Sequence, residues 1–216
     1  MKKVVTFDFT PPEVAPAKSS DIAFVLMKPS YAPSFQDGHE QLFQNFIKSM
    51  AADFEEMIIA RGFTLRGPYD TYDEIVYGDK AATDLILMVE VDIQFSSGQD
   101  LIKRHFNALT KSYSYSADGY LGLSGKINLT ASETLSQEKL WAKSIPMPPK
   151  NVYVKSEHKY TGQHIPIEDT GLYNPVSEAL EEYYKKAIKT AWNHLHPVEL
   201  AALKPQIKQL RDKKTY

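Results

Sequence analysis

Apolar residues recur every three or four positions between residues 39 and 61, which is the spacing of one face of an α-helix. Asp37 and Glu40 have the spacing of a capping box ahead of this helix, and Gly62 is the kind of residue that often ends one. The apolar face consists of Leu42, Phe43, Phe46, Ile47, Met50, Phe54, Met57 and Ile58. Because such a stripe is normally a buried face, we expect the helix to cover a sheet.

Short apolar runs flank the predicted helix on both sides. Residues 22–27 are strand-like in length, and residues 63–66 begin a second strand directly after Gly62. A strand, a long helix and a strand make one crossover unit. The pattern therefore predicts a sheet that contains both strands.

Alternation of apolar and polar residues predicts further strands in the first half of the chain. Residues 3–9 alternate as a half-buried strand does, and the proline-rich residues 11–16 then form an extended arm. Residues 70–83 suggest a short helix or an irregular turn. The longest strand candidate covers residues 85–95, in which Glu90 and Asp92 share one face.

The second half of the chain continues this pattern. Residues 120–133 alternate, residues 136–139 suit a hairpin turn, and residues 140–145 suit the returning strand. Pro146, Pro148 and Pro149 are expected to end that strand. Residues 152–160 alternate in part, as in a strand near an edge of the sheet.

A second long helix closes the predicted fold. Asn174 is a suitable N-cap with Pro175 at the first helical position, and Pro197 breaks the helix. The residues after Pro197 are expected to form a basic, exposed helix or tail that is interrupted at Pro205. The apolar face consists of Val176, Leu180, Tyr183, Ala187, Ile188, Ala191, Trp192 and Leu195.

These elements predict an α+β fold in which two long amphipathic helices cover a single, mostly antiparallel sheet. We divide the chain into an N-terminal strand and arm (1–20), a core domain (21–196) and a C-terminal helix or tail (197–216).

Composition and charge narrow the possible functions. The 216 residues carry a net charge of −2, which argues against non-specific binding to nucleic acid. The sequence has no cysteine, so disulfides, thiolate catalysis and cysteine zinc sites are excluded. Apolar runs long enough to cross a membrane are absent from the sequence, and no apolar signal-peptide region follows Met1-Lys2-Lys3.

The sequence contains no recognisable catalytic motif. The histidines lack the spacing of a metalloprotease, and Gly119, Gly122 and Gly125 fall in a strand pattern instead of a nucleotide-binding turn. Glu90 and Asp92 could perform acid–base or metal chemistry, but alternation on a strand surface produces the same spacing. We expect no enzyme activity, no metal and no cofactor.

The polar connection between residues 96 and 119 contains the candidate binding residues. Lys103 and Arg104 could bind an anionic ligand or belong to a solvated charge run. Tyr113 and Tyr115 alternate with serines, which favours a strand over an exposed contact loop. Leu101, Ile102, Phe106 and Leu109 could form a short amphipathic turn within the connection.

Taken in order, these elements resemble those of the neuraminyllactose-binding hemagglutinin family, which are surface lipoproteins of Gram-negative bacteria. The resemblance covers most of the chain, and the order and spacing of the elements carry it. The segments involved are residues 4–9, 22–31 with Lys28-Pro29, 61–63, 85–95, 125–129 and 176–214.

The resemblance implies a non-enzymatic protein of the cell envelope, at the outer membrane or flagellar sheath, that binds sialylated glycans as an adhesin. It also implies a membrane anchor through a lipidated cysteine that is absent from this chain. Lys103-Arg104 is the nearest match to the family's proposed sialic-acid segment, which begins Lys-Arg. The alternative is a periplasmic or outer-membrane scaffold that docks on another envelope or flagellar protein through its tyrosine-rich loops or C-terminal helix.

Overall fold

A mixed β-sheet with two long helices on one face forms the framework of the protein. The computed structural model describes residues 1–98 and 100–214. The strands are β1 (Ala23–Met27), β2 (Ser30–Tyr31), β3 (Thr64–Tyr69), β4 (Leu85–Ser97), β5 (Ile102–Asn107), β6 (Ser112–Glu133) and β7 (Lys139–Lys155). The helices are α1 (Gln41–Ala60), α2 (Tyr77–Ala82), α3 (Thr170–His194), α4 (Pro197–Ala201) and α5 (Lys204–Lys214).

The sheet combines a parallel half with an antiparallel half. Its strand order is β3-β1-β4-β6-β5, while β2 also pairs with β4 and β7 also pairs with β6. β1 lies parallel to β3 and to β4, whereas β6 lies antiparallel to β4, β5 and β7. The α+β class and the crossover unit are confirmed, but the prediction of a mostly antiparallel sheet is wrong. The error has a physical origin, because parallel strands need a crossover connection, and α1 provides one between β1 and β3.

α1 has the bounds and the buried face that its periodicity predicts. Seven of the eight apolar stripe residues are fully buried, and Ile47 is half-buried against the same core. Gly62 ends the helix with a φ of 78°, as expected of a residue in the left-handed region. The predicted capping box is absent: Glu40 is the N-cap, but its side chain makes no capping hydrogen bond.

The two faces of β4 have different environments. Leu85, Leu87, Val89, Val91 and Ile93 face α1 and α3 in the main core. The residues between them face away from these helices, and Met88 there is 42% exposed. The start of that second face is covered by a small cluster of Val25, Ile75 and Ile86. Functional side chains can therefore reach solvent from the far face and from the ends of the sheet.

The N-terminal arm packs on the helices instead of joining the sheet. Phe7 is buried against Phe46 of α1 and Tyr184 of α3, with ring centroids 5.2 and 5.3 Å apart. Further along the arm, the Ala15 amide donates to the Ala60 carbonyl. The prediction of a strand at residues 3–9 is wrong, because the alternation reflects a segment with one side packed on helices.

β7 continues through the prolines that were expected to end it. Its pairing with β6 runs from Lys139 to Lys155, with one register shift near Met147 and another near Trp141. β7 has β6 as its sheet neighbour, so it is an edge strand that can accommodate residues without an N–H. Residues 140–145 and the start of 152–160 thus belong to a single strand.

α3 begins at Thr170, earlier than the Asn174-Pro175 signal predicts. Asp169 is the N-cap, and its side chain accepts a hydrogen bond from the Gly171 amide at 2.9 Å. A Cβ on Gly171 would lie 1.7 Å from the Lys155 carbonyl oxygen, so only glycine lets the helix start so close to β7. Pro175 lies inside the helix.

The C-terminal helices pack on the core, although a basic, exposed helix or tail was predicted. Leu200 of α4 and Ile207 of α5 are buried. The Arg211 side chain donates to the fully buried carboxylate of Glu133 at 2.9 Å, and the Lys204 ammonium lies 3.1 Å from Asp84. These ion pairs hold α5 against the start of β4 and the end of β6. The proposed division of the chain at residues 20 and 196 stays a prediction.

Candidate binding surface

The candidate residues lie on a β-hairpin formed by β5 and the first part of β6. Ile102 pairs with Ala117 at its base, and Asn107 pairs with Ser112 near its tip. The Asn107 side chain accepts hydrogen bonds from the amides of Leu109 and Thr110, and Lys111 adopts a φ of 50°. A side chain of the Asx type therefore closes the turn. The strand predicted for the serine–tyrosine alternation is confirmed, whereas the predicted amphipathic turn is instead the other strand of this hairpin.

One face of the hairpin carries a cluster that we call the aromatic shelf: Arg104, Phe106, Tyr113 and Tyr115. Register places Arg104 opposite Tyr115 and Phe106 opposite Tyr113. The Arg104 guanidinium lies 4.6 Å from the centroid of the Tyr113 ring, and the Phe106 and Tyr113 ring centroids are 5.1 Å apart. These are distances at which cation–π and aromatic contacts are favourable.

Lys103 is separated from the other three predicted residues. Neighbouring residues of a strand point to opposite faces, so Lys103 lies on the face away from Arg104. That second face is polar, and the His105 Nε2 atom is 2.8 Å from the Ser116 hydroxyl. The structure therefore brings together Arg104, Tyr113 and Tyr115, but not Lys103.

Exposure distinguishes the members of the shelf. Phe106 is 59% exposed and Tyr113 is 46% exposed, and Leu109 at the tip is 96% exposed. Tyr115 is half-buried and packs against the main core. Arg104, Phe106 and Tyr113 can thus contact a ligand, while Tyr115 mainly supports them.

Sequence reasoning missed Phe106 and Leu109 as binding candidates. A signal for Phe106 was present, because Ile102 and Phe106 fall on one face of an alternating run, as Tyr113 and Tyr115 do. Two alternating segments separated by a short polar turn predict a hairpin.

A buried carboxylate supports the shelf from behind. Tyr115 exchanges two backbone hydrogen bonds of 2.7 Å with Tyr160, whose hydroxyl donates to Asp169 at 2.7 Å. Asp169 also accepts from the amides of Glu157, His158 and Gly171. Burial alone would raise the pKa of Asp169, but these donors outweigh burial and hold its pKa below the usual value.

The hairpin carries an excess of positively charged side chains. Lys103, Arg104 and Lys111 fall between residues 101 and 117, and the sequence places no aspartate or glutamate there. The surface consequently favours a partner or ligand that carries negative charge.

A further aromatic pair lies on the other face of β6, beyond the hairpin. Tyr120 is paired with Tyr153, and their ring centroids are 5.5 Å apart. The Tyr153 hydroxyl donates to Asp118 at 2.6 Å, and this hydrogen bond raises the pKa of Tyr153.

Groupings typical of a metal site or a membrane span are absent from residues 1–98 and 100–214. This part of the chain contains no cluster of three or more histidines or acids that could hold a metal ion. Its helices are too short or too polar to cross a membrane. Glu90 accepts a hydrogen bond from the Asn128 amide at 3.2 Å, while Asp92 is 3.4 Å from the Gln94 amide nitrogen.

Comparison with solved structures identifies a shared fold. A crystal structure provisionally described as a neuraminyllactose-binding hemagglutinin homologue from Helicobacter pylori superposes with a TM-score of 0.64 at 14% identity. The match covers 94% of this chain and 98% of that chain. The two proteins have the same fold. At this identity the similarity shows the fold alone.

Other comparisons are much weaker. A protein from Xanthomonas campestris matches at 12% identity over 98% of this chain and 97% of its own, with a TM-score of 0.31. The lipoprotein GNA1162 from Neisseria meningitidis also matches at 12% identity and a TM-score of 0.31, over 63% of this chain and 85% of its own. TM-scores this low do not establish a common fold. Neither a family model nor a curated protein matches the sequence.

Proposed function

We propose that the protein is a non-enzymatic binding domain of the bacterial cell envelope, and that its aromatic shelf binds a sialylated glycan. The observation that carries this proposal is the exposed Arg104 guanidinium beside the Tyr113 and Phe106 rings. The name of the Helicobacter pylori protein of the same fold adds support, because it refers to neuraminyllactose. The fold resemblance also motivates the envelope location and a lipid anchor outside this chain.

The chemistry of the shelf suits an acidic sugar. A guanidinium can donate two parallel hydrogen bonds to a carboxylate, and sialic acid carries one carboxylate. An aromatic ring offers a flat apolar face on which the C–H groups of a sugar can pack. Lys103 and Lys111 add positive charge close to the shelf. Direct recognition is assigned to Arg104, Tyr113 and Phe106, and Tyr115 holds their strand in place.

A titration with sialyllactose and with lactose tests this function. We expect sialyllactose to bind and lactose to bind at least about tenfold more weakly, because the charged hydrogen bonds contribute about 1.5–3 kcal/mol. Arg104→Gln should remove that preference. Lys103→Gln is the matched control, since it removes the same charge from the other face of the same strand. Equal binding of the two sugars, or equal effects of the two variants, would disprove glycan recognition by the shelf.

A second candidate function is docking on another envelope protein as a scaffold. The joint exposure of Phe106, Leu109 and Tyr113 on one hairpin favours it, because exposed apolar side chains that lie close together are typical of interaction sites. Cross-linking in envelope extracts with wild-type protein and with Leu109→Ser tests this candidate. If this candidate is correct, the wild type cross-links to one envelope protein and Leu109→Ser does not. The neighbouring control Thr110→Ala should still cross-link to that protein. A cross-linked protein that is retained by Leu109→Ser would rule out docking through the tip.

A further inference from the structure

A cavity of about 240 Å³ lies where the base of the hairpin meets the segment between β7 and α3. It is separate from the exposed shelf, although Ile102 and Ala117 of the hairpin form part of its wall. Nine of its thirteen wall residues are apolar. The apolar wall residues are Phe95, Leu101, Ile102, Ala117, Leu121, Val154, Ile165, Ile167 and Leu172.

The size of the cavity limits its occupant. An apolar protein cavity of about 150 Å³ can hold one benzene molecule. A volume of 240 Å³ therefore has room for one six-membered ring with a short tail. Larger ligands, such as a disaccharide or a full acyl chain, would not fit inside.

The polar side of the wall carries negative charge. Asp37 and Glu40 belong to the turn that precedes α1, and both line the cavity. The remaining polar wall residues are Gln163 and His164, and no lysine or arginine is among the described wall residues. A ligand with a positive group would thus be favoured over an anion of the same shape.

The Glu40 carboxylate is mostly withdrawn from water and weakly paired. Its side chain is 18% exposed, and it lies 3.9 Å from the His39 ring nitrogen. It makes no capping hydrogen bond to its own helix. Within residues 1–98 and 100–214, the carboxylate is therefore free to accept a hydrogen bond from a ligand.

We infer that this cavity binds a small arylalkyl ammonium ion, with the ring among the apolar residues and the ammonium group at Glu40 and Asp37. The inference is independent of glycan binding, because it uses different residues and a ligand of opposite charge. The apolar wall supplies the affinity, and the two carboxylates determine the preferred charge.

Isothermal titration and ligand-detected saturation-transfer NMR with three probes of one shape test the inference. The probes are 2-phenylethylamine, 3-phenylpropionate and ethylbenzene. We expect the amine to bind at least about tenfold more tightly than the carboxylate, in keeping with a partly desolvated ion pair. Absence of binding by all three probes, or equal affinity for the two charged ones, would overturn the inference.

Variants locate the binding site. Ala117→Leu fills the cavity and should abolish binding of every probe while leaving the unfolding midpoint unchanged or higher, because filling a cavity commonly stabilises a protein. If that variant does not fold, Ile102→Trp narrows the mouth from the partly exposed strand β5 and should have the same effect. Full binding by a folded member of this pair would place the probes elsewhere and contradict the inference.

Charge variants separate the two parts of the site. Glu40→Gln should weaken binding of the amine by about tenfold and leave the affinity for ethylbenzene unchanged. Glu56→Gln, on α1 but not in the cavity wall, is the matched control and should change neither affinity. Sialyllactose binding by the same proteins reports the state of the shelf, so failure at one site can be distinguished from failure at the other.

Discussion

The two ends of β6 lie in contrasting environments. At its C-terminal end, Glu133 is fully buried and bonded to Arg211, and α5 covers the end of the sheet. At its N-terminal end, the hairpin formed with β5 exposes Phe106, Leu109 and Tyr113. We call these the closed end and the open end. Polar groups at the closed end are satisfied within the chain, whereas the apolar side chains at the open end remain largely exposed to water. This difference separates a region that maintains the fold from one that can bind.

The largest predicted effect is at the closed end. Arg211→Ala should lower the free energy of unfolding by about 3 kcal/mol, because it leaves the Glu133 carboxylate buried without its cation. Chemical denaturation at pH 7 measures the loss. Lys208→Ala changes an exposed residue of the same helix and should have almost no effect. A loss as small as that of the control would show that the ion pair does not maintain the closed end.

The next effect concerns Asp53, which lies between the two ends in the contact of α1 with α3. The Tyr184 hydroxyl donates to Asp53 at 2.6 Å, and burial raises the pKa of Asp53 to about 6 from 3.8. The raised pKa means that the folded protein binds a proton more readily than the unfolded chain does. The contribution of protonated Asp53 to the free energy of unfolding should be complete below about pH 4 and lost as the pH rises through about 6.

Asp53→Asn tests this pH dependence. Relative to the variant, the wild type should lose roughly 2–3 kcal/mol of unfolding free energy between pH 4 and pH 8. Denaturation curves across this range measure the difference. Glu55→Gln, at a half-buried position of α1, should leave the wild-type pH dependence intact. A parallel profile for Asp53→Asn would contradict the burial of an ionisable group at this position.

The smallest stability effects should occur at the open end. Phe106→Ser and Leu109→Ser should each change the unfolding free energy by no more than about 0.5 kcal/mol, since both side chains are largely exposed. Chemical denaturation at pH 7 measures these changes in the free energy of unfolding. A cost near that of Arg211→Ala would remove the distinction between the two ends and would show that the hairpin contributes to the core.

Local periodicity was enough to predict the parts of the fold that depend on nearby residues. The stripe of α1 and the alternation of β6 are repeated many times, so single exceptions such as Gly125 do not hide them. The start of α3 was misplaced because the true cap, Asp169, is identified by hydrogen bonds from Glu157, His158 and Tyr160, which lie on a different segment. The arm was misread because Phe7 alternates as in a strand, but its neighbours belong to α1 and α3.

The candidate site was predicted only in part, again because local patterns do not show which distant residues lie side by side. Arg104, Tyr113 and Tyr115 were chosen for their chemistry, and only the register of β5 on β6 shows that they share a face. Lys103 was grouped with Arg104 because the two are adjacent in sequence, although the pleat of a strand separates them. The cavity combines Asp37 and Glu40 with residues far along the chain, so no local pattern could have indicated it.

The continuity of β6 also has a mechanical consequence. β6 is a single strand of 22 residues, roughly 70 Å when extended, and its C-terminal half is hydrogen-bonded to β4 on one side and β7 on the other. A partner that pulls on the hairpin along this axis would load many of these perpendicular hydrogen bonds together, in shear. Such a load is resisted collectively, whereas a sideways pull would open the β5–β6 pairs one at a time. An attachment at the hairpin would accordingly be strongest when the tension runs along the strand.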